Sequence, residues 1–87
     1  MSQASLHIIS NRQGVQRCEP CLAGGDTVVL IEDAVLLCRD DSWPGQITVF
    51  ALEEDLVSRN IPAGACNTVD YLGFVDLCCQ HRHCLSW

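Results

Sequence analysis

The stretches 27-TVVLI-31 and 47-ITVFAL-52 are nearly continuous in apolar or β-branched residues. A strand with one wet face alternates apolar and polar side chains, whereas a strand covered on both faces does not. These runs therefore predict strands of a parallel-type sheet with helices above and below. The run 6-LHIIS-10 and the terminal 84-CLSW-87 read as further strands. Gly24-Gly25-Asp26 and Pro44-Gly45 come just before two of the runs, where turns belong.

Helical signals fill the gaps. Asp33 is placed to cap a turn or two through Ala34–Arg39. In 53-EEDLVSR-59 three carboxylates open a helix and an arginine closes it, matching the dipole at both ends, and Asn60 and Pro62 then stop it. Asp70 is a cap for the longest helix, 71-YLGFVDLCCQ-80; Leu72, Val75 and Cys79 share one face, widened by Phe74, Leu77 and Cys78. The order is β-α-β-α-β-α-β-α-β, which predicts a single α/β domain over residues 1–87. It should form a small three-layer sandwich with a mostly parallel sheet of about five strands. The first crossover, Asn11–Ala23, contains Gly14 and Pro20. Proline inside a helix costs about 3 kcal/mol, so either the helix kinks at Pro20 or only a turn begins there. The second arrangement puts Cys18 just before a helix N-terminus and Cys21 within its first turn.

Composition bounds the function. The chain is 48% hydrophobic but only 6% aromatic, and 87 residues have too much surface to hide that material unaided. This predicts a subunit of an oligomer. Eleven carboxylates face five arginines, for a net charge of −6. With no basic stripe, direct nucleic-acid binding and attachment to anionic membranes are disfavoured. The start, 1-MSQASLHIIS-10, lacks the pattern of a signal peptide, and no apolar run approaches the roughly 18 residues of a membrane span, so a cytoplasmic location is expected.

Seven cysteines are an odd number, and two of them, Cys78 and Cys79, are adjacent. Reduced thiols packing as small hydrophobes are the economical reading. The pair in 18-CEPC-21 also has the spacing of a redox dithiol or of half a zinc site. A thioredoxin-like dithiol follows directly on a core strand, and 15-VQR-17 is too short and polar for one. Zinc would draw its other ligands from 78-CCQHRHC-84, which lacks a clean spacing, so no metal and no cofactor is expected. His7 lies in a strand run and reads as a hydrogen-bonded core or interface residue. Glu32-Asp33 reads as a helix cap and not as an acid/base pair. No phosphate-binding glycine loop, HExxH or Ser/His/Asp arrangement is present.

The pieces 25-GDTVVLIEDAV-35, 49-VFALEEDLVSR-59 and 69-VDYLGFVDLC-78, with 85-LSW-87, resemble the TusB/DsrH family in order over nearly the whole chain. The resemblance implies a compact DsrEFH-like α/β fold. It also implies an accessory subunit of a sulfur-relay complex, beside two larger homologous subunits in a dimer of heterotrimers. Such a complex accepts sulfur as a cysteine persulfide and passes it to a separate carrier protein. In the Tus branch the sulfur ends in the 2-thio group of a tRNA wobble uridine; in the Dsr branch it serves sulfur oxidation. Members of the DsrH type carry a first-helix cysteine seven residues before the glycine of the GD block. That register falls on Cys18, while Cys21 fits with a three-residue gap and has the expected leucine, Leu22, after it. Cys18 is thus the first candidate persulfide carrier, with Arg17 beside it, and Cys21 the second. Packing is the alternative role for both. A standalone cysteine-based redox or zinc module is the rival from another class.

Overall fold

The computed structural model describes residues 4–38, 43–62 and 66–87. Five strands form one sheet: β1 (Ser5–Ile9), β2 (Thr27–Leu30), β3 (Thr48–Leu52), β4 (Asn67–Val69) and β5 (His83–Ser86). Their spatial order is β4-β3-β2-β1-β5, and every neighbouring pair is parallel. Helices α1 (Arg12–Cys18), α2 (Glu53–Ser58) and α3 (Tyr71–Gln80) lie between strands, with 3-10 segments at Glu19–Cys21 and Glu32–Leu37. This is the α/β architecture that the unbroken apolar runs imply.

From β1 to β4 the chain steps in one direction across the sheet, and right-handed crossovers put α1, the Glu32–Leu37 turn and α2 on one face. Ile9, Cys18, Val28, Leu30, Ala34, Val35, Ala51 and Leu56 form the core of that layer, all fully buried. The last crossover runs back from β4 to β5 at the opposite edge, so the same handedness places α3 on the other face. Its ten residues make a helix about 15 Å long. Leu6 and Val29, which alternate with the first layer's residues, are fully buried outside that cluster.

Several local signals resolve differently from the sequence reading. Helix α1 runs uninterrupted through Gly14 and stops at Cys18, and Pro20 sits within the following 3-10 turn. Asn11 caps α1, its side chain accepting from Gly14 N at 2.8 Å. A side chain at 14 would have its Cβ 3.0 Å from the Trp87 carbonyl oxygen and 3.1 Å from Ile9, so glycine lets the chain terminus lie against α1. Asp33 does not cap its segment: Ile31 holds that position, and Asp33 receives Arg59 at 3.1 Å. The expected end of that segment at Arg39 lies outside the described residues. Arg59 follows α2 instead of closing it, and Asn60 turns the chain with a φ of 56°.

Asp70 does cap α3, accepting from Gly73 N at 2.7 Å. The helix lies differently from the stripe expected of it. Phe74, Leu77 and Cys78 are half-buried, while Leu72 (78% exposed), Val75 and Cys79 face outward. No residue of α3 is fully buried, and all four of β5 are exposed. An apolar helix face and an adjoining edge strand are thus left open on one side of the molecule.

Candidate functional site

A helix packed on a parallel sheet runs antiparallel to its strands, so α1 delivers the CEPC segment to the sheet's amino-terminal edge. Cys18 is the last residue of α1 and is fully buried in the first-layer core. Burial raises its thiol pKa to about 11, with the nearby Cys21, Asp26 and Glu19 adding in the same direction. Cys18 both ends α1 and immediately precedes the 3-10 turn Glu19–Cys21, as the second arrangement has it, but the activation inferred from Arg17 is corrected: desolvation dominates. A thiol whose pKa is raised this far stays protonated at pH 7. Cys21, three residues on, closes the 3-10 turn and is exposed, while the neighbouring Leu22 packs against the core.

The loop carrying Cys21 is tied down by Asp26, a residue whose sequence context suggests only a turn. Asp26 is 4% exposed and accepts three hydrogen bonds: from Ser5 N at 2.9 Å, Ala23 N at 3.0 Å and His7 Nε2 at 2.9 Å. Burial pushes its carboxyl pKa up, but the bonds from Ser5, His7 and Ala23 outweigh this and leave it lowered. On the other side of His7, Trp87 Nε1 donates to Nδ1 at 3.0 Å, and the two rings stack at 6.1 Å. Indole N–H can only donate, so Nδ1 carries the lone pair and Nε2 the hydrogen that goes to Asp26. With both ring nitrogens engaged and the ring 1% exposed, His7 is a structural link and not a general base. It joins the loop before β2 to the C-terminal residue.

The opposite edge of the sheet, where α/β folds usually bind ligands, is occupied by the chain's own carboxylates. Asp55 accepts from Glu32 N at 2.7 Å, Glu54 from Tyr71 N at 3.1 Å and Asp70 from Gly73 N. Glu32 adopts a φ of 51°, a strained region for a non-glycine residue, and its bond to Asp55 holds it there. A hollow at this edge is lined by Glu53, Glu54, Val57 and Asp70. The N-termini of the Glu32–Leu37 segment and of α3 are thus already satisfied by anions, and the acidic rim repels another.

The C-terminal cysteines lie on the second layer. Cys78 is half-buried in the last turns of α3, and Cys79 and Cys84 are exposed. His81 Nδ1 donates to Leu77 O at 2.7 Å and closes the helix. CEPC and 78–84 are not brought together: among the described residues no three or more His, Cys, Asp or Glu side chains form a metal-sized group. Also among the described residues, no helix is long and apolar enough to cross a membrane.

Comparison with known proteins agrees with the resemblance carried by the motifs. The family described as "DsrH like protein" matches residues 10–84. Protein TusB of Escherichia fergusonii is 32% identical, with 76% of this chain and 79% of that protein covered. The Protein TusB sequences of Escherichia coli O81 and of Erwinia tasmaniensis are each 31% identical over the same shares.

Proposed function

Because the chain belongs to the DsrH-like family, we propose that it is an accessory subunit of a cytoplasmic sulfur-relay complex, feeding 2-thiolation of tRNA wobble uridine. Relatives named TusB favour this branch over sulfur oxidation. In this reading two larger homologous subunits join it in a dimer of heterotrimers, and the complex hands persulfide sulfur to a carrier protein. The observation that carries the assembly is the open second layer. Leu72, Val75 and Tyr71 on α3 are 44–78% exposed and no residue of α3 is fully buried, whereas the first layer has a fully buried core. Co-expression with two larger proteins of the same fold should yield one stoichiometric complex on size exclusion. A monodisperse monomer that ignores both partners would refute the subunit reading.

If this subunit carries sulfur, the thiol is Cys21 in preference to Cys18. Transfer requires a thiolate to attack the terminal sulfur of the donor persulfide; a new persulfide forms on the acceptor and the donor leaves as a thiol. Cys21 is open to a donor, whereas Cys18 is sealed in the core with its pKa at about 11. Loading with a cysteine desulfurase and free cysteine should add one sulfur to the intact mass. Cys21→Ser should abolish the adduct and Cys18→Ser should retain it; the reverse pattern would assign the role to Cys18.

A further inference from the structure

Independently of any sulfur carried at Cys21, we propose that Cys78 and Cys84 form a second two-thiol site, a dithiol that closes to a disulfide when a small-molecule disulfide reaches its exposed member. The two residues belong to different elements, the last turns of α3 and the second position of β5, and the turn through His81 and Arg82 folds one against the other. Each thiol lies within electrostatic reach of the other. Cys84 Sγ also lies 3.7 Å from Cys78 O and 3.9 Å from His81 O, so it is held over the end of the helix and not free to swing away. Access is unequal. Cys84 is exposed, while Cys78 is half-buried, and burial together with its neighbours Cys84 and Cys79 raises its pKa. Between them in the chain, Gln80, His81 and Arg82 line, with Ala4, a hollow of about 360 Å³ that neither cysteine borders and that offers a cation to a ligand's carboxylates.

This asymmetry divides the labour as in other dithiol sites, with one thiol attacking and the other resolving. The thiolate of Cys84 attacks one sulfur of the small disulfide. An S–S bond forms to Cys84 as the reagent's own S–S bond breaks, and one thiolate leaves. Cys78 then gives up its proton and attacks Cys84 Sγ; the Cys78–Cys84 bond forms and the second reagent thiolate leaves. Two protein thiols are oxidised and one disulfide is reduced to two thiols. The product ties α3 to the edge strand β5, the two elements whose outer surfaces are open. Cys79 is the competitor, being adjacent in sequence and exposed. A Cys78–Cys79 bridge would be strained, however, and Cys79 projects from the outward face of α3 with Leu72 and Val75.

The test uses the full chain and oxidised glutathione. After incubation, acid quench and alkylation, peptide mapping should show one bond, Cys78–Cys84, with the protein two hydrogens lighter and no glutathione retained there. Cys79→Ser should give the same bond. Cys78→Ser should stop at the first step, with glutathione trapped on Cys84, and Cys84→Ser should slow modification of Cys78 at least tenfold. A stable glutathione adduct on Cys84 of the unsubstituted chain would overturn the proposal. So would a bridge through Cys79, or both thiols remaining reduced where the unfolded chain reacts.

Discussion

Asp26→Ala should destabilise the protein by about 3–5 kcal/mol, read as a lower urea midpoint. The substitution leaves Ser5 N, Ala23 N and His7 Nε2–H without the acceptor they share in a nearly closed site. A chain of this size has about 4–13 kcal/mol in all, so the loss takes up a large part of the total. The carboxylate's lowered pKa also fixes the direction of a pH effect. Its stabilisation is complete above the unfolded value, near 3.8, and is lost as pH falls through the lower folded value. The unsubstituted chain should therefore lose stability steeply on the acid side of pH 4, and Asp26→Ala should flatten that limb. An unchanged urea midpoint would show that water replaces the carboxylate at no cost.

Trp87→Ala should cost about 3 kcal/mol, a large effect for the last residue of a chain. Its indole stacks on His7 and donates to Nδ1, its amide donates to Ile8 O at 2.9 Å, and its carbonyl lies against Gly14. Trp87→Phe restores the ring but leaves Nδ1 without its donor, and should cost about 1 kcal/mol. Since Asp26 and Trp87 meet only through His7, the double substitution should fall short of the sum of the singles by more than about 0.5 kcal/mol. Strict additivity in denaturant melts would mean that His7 does not connect the two.

The same residues show why some of the molecule was legible and some was not. TVVLI announced a buried parallel strand because burial on both faces removes the period-two alternation, a local signature; ITVFAL announced the parallel strand beside it, although Thr48 stays exposed and Val49 and Phe50 half-buried. Asp70 announced α3 because a cap and the amide it serves are three residues apart. His7, Asp26 and Trp87 have no such signature. Their bonds span 19 and 80 positions, and a histidine in an apolar run signals only that some partner must exist. The family register pointed to Cys18, but register carries no information on solvent access, and the fold buries that thiol fully and raises its pKa.

Read alone, the chain specified its α/β class, the order of its elements and the family to which it belongs, because periodicity, caps and motif spacing are written within a few residues of one another. Folding decided which cysteines are open, which is sealed in the core, and where Asp33 and Asp26 find their partners. Those outcomes depend on distances between segments far apart in the chain, and on how much water each group keeps once they meet.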